Sequence, residues 1–284
     1  MERSNSNSLS SPGGRRGPGR GGPFPLDFLR SPLLLALWFF VSGACTTPGA
    51  EQSPRFGFDD FLLAPVRVHL LSASNAPNVH TTLTETDLAR ILPKLNGIWS
   101  QAGITFYLEA LVREEAVNQS LNGVLGTPDD LRRMLALRPE TTRATNVFHL
   151  YYIKRFSANG VYLGEAMFVK DTAALRQVPG GIDEPIPRVS SHELGHALTL
   201  MHHTNEFHLM ARGTTGTNFD ATEIKQARAA AEHLPWVRKA PDVWKQAEAA
   251  RRSQREAEAK ELDRQISTIP LDDHRIRAAK KRAD

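Results

Sequence analysis

Cysteine is almost absent from this 284-residue chain. Cys45 stands alone, which excludes an intramolecular disulfide framework, a cysteine-based zinc finger and a CxxC redox pair. Long apolar runs are missing as well. The stretch Leu33–Val41 has nine residues, whereas a membrane-spanning helix needs roughly 17–25. Charge of one sign is scarce: 35 Lys and Arg face 31 Asp and Glu, a formal +4. Much of that excess sits in the first 44 residues, where Arg3, Arg15, Arg16, Arg20 and Arg30 oppose Glu2 and Asp27. A nucleic-acid-binding surface is therefore not indicated. What is present is 40% hydrophobic and 23% charged residues, enough for one catalytic-size domain with a buried core and too apolar for a wholly disordered chain.

Residues 1–30 are rich in Ser, Gly, Pro and Arg. The apolar run then leads to Ser42-Gly43-Ala44-Cys45. A basic region, a short apolar region and small residues form an export signal. Small residues before a cysteine resemble the lipobox of bacterial lipoproteins, which implies cleavage before Cys45 and lipid attachment to its thiol. Ordinary cleavage near Ala44 or Ala50 is the alternative. The expected organisation is a signal peptide over 1–44, a lipid-anchor tether over 45–64, a catalytic domain over 65–238 and a charged helical tail over 239–284. Membrane contact is expected through the anchor only, in the outer membrane or cell envelope of a bacterium.

Hydrophobic periodicity predicts strands at Val66–Leu71, Ile104–Leu111, Asn146–Ile153 and Val161–Val169. Gly160 and Gly164 suggest a bulge or a close backbone approach in the last of these. Thr84 caps a helix whose stripe is Leu88, Ile91, Leu92, Leu95, Ile98 and Trp99, with Pro93 as a kink and Gly103 as the stop. Thr127-Pro128-Asp129-Asp130 opens a helix to about Arg138. Asp220-Ala-Thr-Glu223 is a capping box for another, through about Leu234. The stretch from Pro241 to Ile266 reads as a solvated helix.

Chemistry concentrates in Ser191-His192-Glu193-Leu194-Gly195-His196. Two histidines four apart on a helix lie one turn apart on nearly the same face, so both imidazoles can grip one Zn²⁺. Glu193 projects beside them, able to hydrogen-bond a zinc-bound water and take its proton. With 10 His and 17 Glu in the chain, chance supplies roughly 0.02 such motifs, so it is informative. A third ligand is needed. His202 lies ten residues after His192, about 15 Å along a continuing helix, so the helix must stop near Thr199–Leu200 and the chain turn back. His203 is the neighbouring candidate. His149, His69 and His80 read as core or surface histidines. His208 is a weaker candidate for lining the cleft, and Glu223 for a distant third ligand, a role its place in a capping box argues against.

The segment His192-Glu-Leu-Gly-His196-Ala-Leu-Thr-Leu-Met-His202, followed by His203-Thr-Asn-Glu-Phe-His-Leu209-Met210, resembles the metzincin zinc metallopeptidases, and within them the matrixins. That resemblance implies zinc ligation by His192, His196 and His202, general-base catalysis by Glu193, and Met210 beneath the metal. It implies an α+β fold: a twisted mixed sheet, an active-site helix, a helix packed on the sheet and a C-terminal helix. The Gly160–Val169 strand would be the edge that holds an extended substrate. Thr199 replaces the family's helix-ending glycine, and Arg212 stands where some members place a tyrosine ligand. A latency cysteine and an Asp/Gly-rich segment for structural zinc and calcium are both missing. The expected function is hydrolysis of peptide or protein substrates. Alternatives are a zinc amidase acting on cell-wall peptides, or a zinc-binding lipoprotein with a degenerate site.

Overall fold

A run of alternating residues fixes the centre of the molecule. Strand β1 (Leu62–Ser72) directs Leu62, Ala64, Val66, Val68 and Leu70 to one face and Leu63, His69 and Leu71 to the other. Both faces are covered, so the strand is buried almost throughout. The computed structural model describes residues 55–119, 131 and 133–284. The export signal, Cys45 and the helix start at Thr127–Asp130 lie outside them. Where that helix was expected to continue, Met134–Leu137 form a 3₁₀ turn.

The other strands are β2 (Ile104–Glu115), β3 (Phe148–Ile153), β4 (Gly160–Tyr162), β5 (Met167–Lys170) and β6 (Arg238–Lys239). Their order is β2-β1-β3-β5-β4, with β6 antiparallel to the start of β1. Pairings β1–β2, β1–β3 and β3–β5 are parallel, and β4 is an antiparallel edge. The strand read as continuous over Val161–Val169 is thus a hairpin. Gly164 sits in its turn at φ +82°, a conformation that suits glycine.

Three helices cover one face. Helix α1 (Glu85–Trp99) begins at Thr84, whose side chain and that of Asp87 form a reciprocal cap. It buries Leu88, Ile91, Leu95 and Ile98, while Pro93 falls on the exposed side. Asn96 is buried and bonds both backbone groups of Phe106, at 2.9 and 2.8 Å, so it occupies hydrogen-bonding groups of edge strand β2. Helix α2 (Pro185–Ala197) and helix α3 (Ala221–Glu232) complete this layer. Asp220 caps α3, with Glu223 closing the box.

The C-terminal segment departs from the solvated tail expected of it. It forms α4 (Ala240–Arg252), α5 (Glu256–Ser267) and α6 (His274–Ala283). Ala240, Val243, Ala247, Leu262, Ile266 and Ile276 pack with Phe58, Phe61, Leu63 and Tyr107. The same contact shifts the boundary expected at residue 65: Phe58 and Phe61 are buried and β1 begins at Leu62, so the fold begins several residues earlier. Alanine-rich helices with few large apolar residues carry a weak signal, and the sheet's second face supplies what they need to bury. Among the described residues, no helix is long and apolar enough to cross a membrane.

Candidate metal centre and cleft

Helix α2 begins with Pro185 and Pro187 near its N-terminus, where a missing N–H costs nothing. Its residues 186–195 are all buried. Leu198 caps the end, and Thr199 takes the left-handed conformation at φ +70°. The Leu200 N–H bonds the Gly195 carbonyl at 2.8 Å and the Thr199 N–H bonds that of His196 at 3.0 Å, the paired closure of a Schellman end. A left-handed β-branched residue is strained. Gln226 Nε2 holds it by donating to the Thr199 carbonyl at 2.6 Å. The chain therefore turns back although glycine is missing.

The turn brings His202 to His192 and His196. One nitrogen from each ring lies within 4.8 Å of the others, and ring centroids are 4.6–5.3 Å apart. The Nε2 atoms of His196 and His202 are 3.3 Å apart, about the separation of two nitrogens on a tetrahedral zinc. His192 Nδ1 donates to the Leu209 carbonyl at 2.8 Å and His196 Nδ1 to the Leu200 carbonyl at 2.9 Å. Both bonds fix the tautomer that leaves the Nε2 lone pair free. Burial lowers all three basicities, that of His192 to about 3, so the rings are neutral ligands at neutral pH. The donor set fits a divalent zinc ion. His203 is placed elsewhere, against His208.

Arg212 Nη2 lies 3.0 Å from His202 Nδ1. The guanidinium only donates, so this contact places the ring proton of His202 on Nε2. Ligation through Nε2 requires that proton on Nδ1 and the guanidinium turned away. Arg212 thus competes with the metal-ready tautomer.

Glu193 is 4% exposed. Burial pushes its carboxyl up to about 8, against the opposing effects of the Arg188 cation and the Tyr162 backbone N–H. Gly160 makes that approach possible, since a Cβ there would lie 2.5 Å from Glu193 Oε1; the close backbone approach expected at this glycine is present. Gly195 has the same role below: its Cβ would meet Met210 Sδ at 2.5 Å. Met210 is fully buried against the helix between the two motif histidines.

Arg188 carried no sequence signal and organises the floor. It is 2% exposed, one turn before His192, and donates to the carbonyls of Gly216, His208 and Ala211. Burial lowers its pKa to about 10, so it stays charged and ties the Met210 loop to α2. A cleft of about 790 Å³ opens above these groups. Gly160, Val161 and Tyr162 of β4 line it, as do Arg212 and Met201, the latter 77% exposed.

His208 does not line the cleft; it pairs with Glu223 at 3.1 Å. Glu223 stands with His203, His208 and Asp220 rather than with the first three histidines. His149 and His69 bond each other in the interior at 2.9 Å, and His80 accepts from the Ala73 N–H.

No family model matches the chain, and no curated protein matches its sequence. Solved structures are similar to part of it. An archaemetzincin from Methanopyrus kandleri matches at 13% identity and TM-score 0.42, over 61% of this chain and 97% of that one. A chain from a chaperone–substrate complex matches at 8% identity and TM-score 0.37, over 62% and 35%. Metalloproteinase-II from Bacteroides fragilis matches at 12% identity and TM-score 0.36, over 59% and 53%. The chain spans about a third and about half of the last two. Likeness at this level does not decide a reaction, which has to be read from the site itself.

Proposed function

We propose that this protein is a zinc-dependent endopeptidase with a metzincin-type, matrixin-like site. The observation that carries the reading is the convergence of three neutral imidazoles at the floor of an open cleft, with a buried carboxyl beside them. When bound there, zinc supplies Lewis acidity toward a peptide carbonyl and lowers the pKa of a coordinated water from 15.7 to about 7. His192, His196 and His202 hold the ion. Glu193 has a proton affinity balanced near neutrality, which suits a group that takes a proton from the attacking water and returns it to the leaving amine. Strand β4 offers an extended edge along the cleft, on which a peptide can pair as an added strand. Arg188 keeps the floor rigid by holding three carbonyls of the Met210 loop.

The export signal and the small residues before Cys45 support secretion with a lipid anchor in a bacterial envelope. Palmitate labelling of wild type but not of Cys45→Ser is the expected result; equal labelling refutes the anchor. For the chemistry, Glu193→Gln should keep its zinc and its circular dichroism while peptide hydrolysis falls by about 10²–10⁴-fold. Undiminished turnover by that variant would remove Glu193 from the mechanism.

A further inference from the structure

The segment between α2 and α3 carries a second group of donors that the hydrolytic reading does not use. His203, His208, Asp220 and Glu223 each present a ligand atom, and these atoms lie within 4.8 Å of one another. His203 and His208 stack at 4.0 Å between ring centroids, 10° from parallel. Asp220 Oδ2 is 3.7 Å from His203 Nε2. Glu223 Oε2 lies 3.1 Å from His208 Nδ1 and accepts from the Asp220 N–H at 2.9 Å. Its other oxygen, Oε1, is buried without a hydrogen-bond partner, on a residue only 8% exposed. A buried carboxylate oxygen with no donor is costly, and a cation would satisfy it.

We propose that these four residues form a second, structural zinc site. Two imidazoles and two carboxylates make four nitrogen and oxygen donors, the number that closed zinc sites use and all of types that bind zinc. Two formal negative charges match a divalent cation. The placement gives the ion a task. His203 directly follows His202, His208 precedes Met210 by two residues, and Asp220 and Glu223 form the N-terminal cap of α3. The intervening chain has no helix and only isolated bridges: His203 to Ala211, His208 to Asn218, and Thr214 to Arg176. An ion joining its two ends would fix the loop that delivers the third cleft histidine. Binding has a local cost: the Asn205 N–H donates to His203 Nδ1 at 2.9 Å, which leaves the ring proton on Nε2, so ligation through Nε2 gives up that bond. The site is independent of whether the cleft hydrolyses peptides.

The test is zinc stoichiometry of the full chain, stripped with chelator and titrated with Zn²⁺ against a chromophoric competitor. Wild type should take two equivalents, His192→Ala/His196→Ala one, and His203→Ala/His208→Ala one. Glu223→Gln keeps an acceptor for the cap and should weaken one of the two equivalents by at least tenfold. Should the His203/His208 pair lose its circular dichroism, the decisive comparison moves to the His192/His196 background. There the remaining equivalent must weaken by at least tenfold on adding Glu223→Gln. Equal zinc uptake by wild type and the His203/His208 variant overturns the site, as does an equivalent indifferent to Glu223→Gln. A wild type that takes a single zinc, lost in the His192/His196 variant, also overturns it and leaves the catalytic reading intact.

Discussion

Two histidine clusters, built from the same residue types, behave in opposite ways. In the interior, His69 Nδ1 meets Glu114 Oε1 at 2.6 Å, His69 Nε2 meets His149 Nδ1 at 2.9 Å, and His149 Nε2 lies 2.8 Å from the Ala144 carbonyl. Every ring nitrogen there is taken by protein, and the rings are 0% and 5% exposed. In the cleft, His192 and His196 spend their Nδ1 atoms on backbone carbonyls and turn Nε2 toward His202 and open space. What separates ligand from core histidine is the uncommitted lone pair, which neither residue type nor count reveals.

The sharpest way to break that contrast is to remove one ring from each cluster. His196→Ala should lower zinc affinity on the order of 100-fold or more, by losing a direct ligand as well as its oriented neighbour. His149→Ala should leave the zinc in place and cost about 1–3 kcal/mol of stability, since His69 Nε2 loses its partner. Metal analysis and urea denaturation of the two variants decide it. Equal zinc loss in both would mean that the interior cluster feeds the cleft.

A smaller effect lies in the pH dependence of the interior cluster. Burial, with the neighbouring His149, lowers His69 from 6.5 to about 3. The unfolded chain therefore gains a proton near pH 6.5 that the folded chain refuses until about pH 3. The stability that neutral His69 contributes is complete above 6.5 and falls as pH drops through that window. His69→Gln should flatten the stability–pH slope there by about 1.4 kcal/mol per pH unit in metal-free protein. An unchanged slope would show that Glu114 holds His69 protonated in the fold.

Arg212 tests the cleft's own imperfection. Its contact with His202 Nδ1 favours the tautomer that cannot ligate, so Arg212→Ala should tighten zinc by about fivefold, roughly the 1 kcal/mol of one hydrogen bond. Weaker zinc in this variant would instead make Arg212 a support for the third ligand. The smallest effect is at the turn. Thr199→Gly removes a left-handed β-branched residue and keeps the carbonyl that Gln226 binds, so stability should rise by about 1 kcal/mol. A lower melting temperature would show that the Thr199 side chain, which also lies 3.3 Å from Gln226 Nε2, matters more than the strain.

Local patterns settled a definite part of this protein. The spacing of His192, Glu193 and His196 follows from helix geometry, and the caps at Thr84 and Asp220 follow from side chains reaching the nearest free N–H groups. Both kinds of signal act within one turn and need no partner. The tertiary structure decided what depends on distant chain. It placed His202 rather than His203 beside the motif, through a turn that a threonine makes in place of glycine. It put buried Arg188 under the floor, and it folded the alanine-rich C-terminal helices onto Phe61, Leu63 and Tyr107. It also put Glu223 with three donors, two of them 15 and 20 residues upstream. The physical reason is common to all: a lone pair or an apolar face acquires a role only from what packs against it, and that is set by the fold and not by the neighbouring residues.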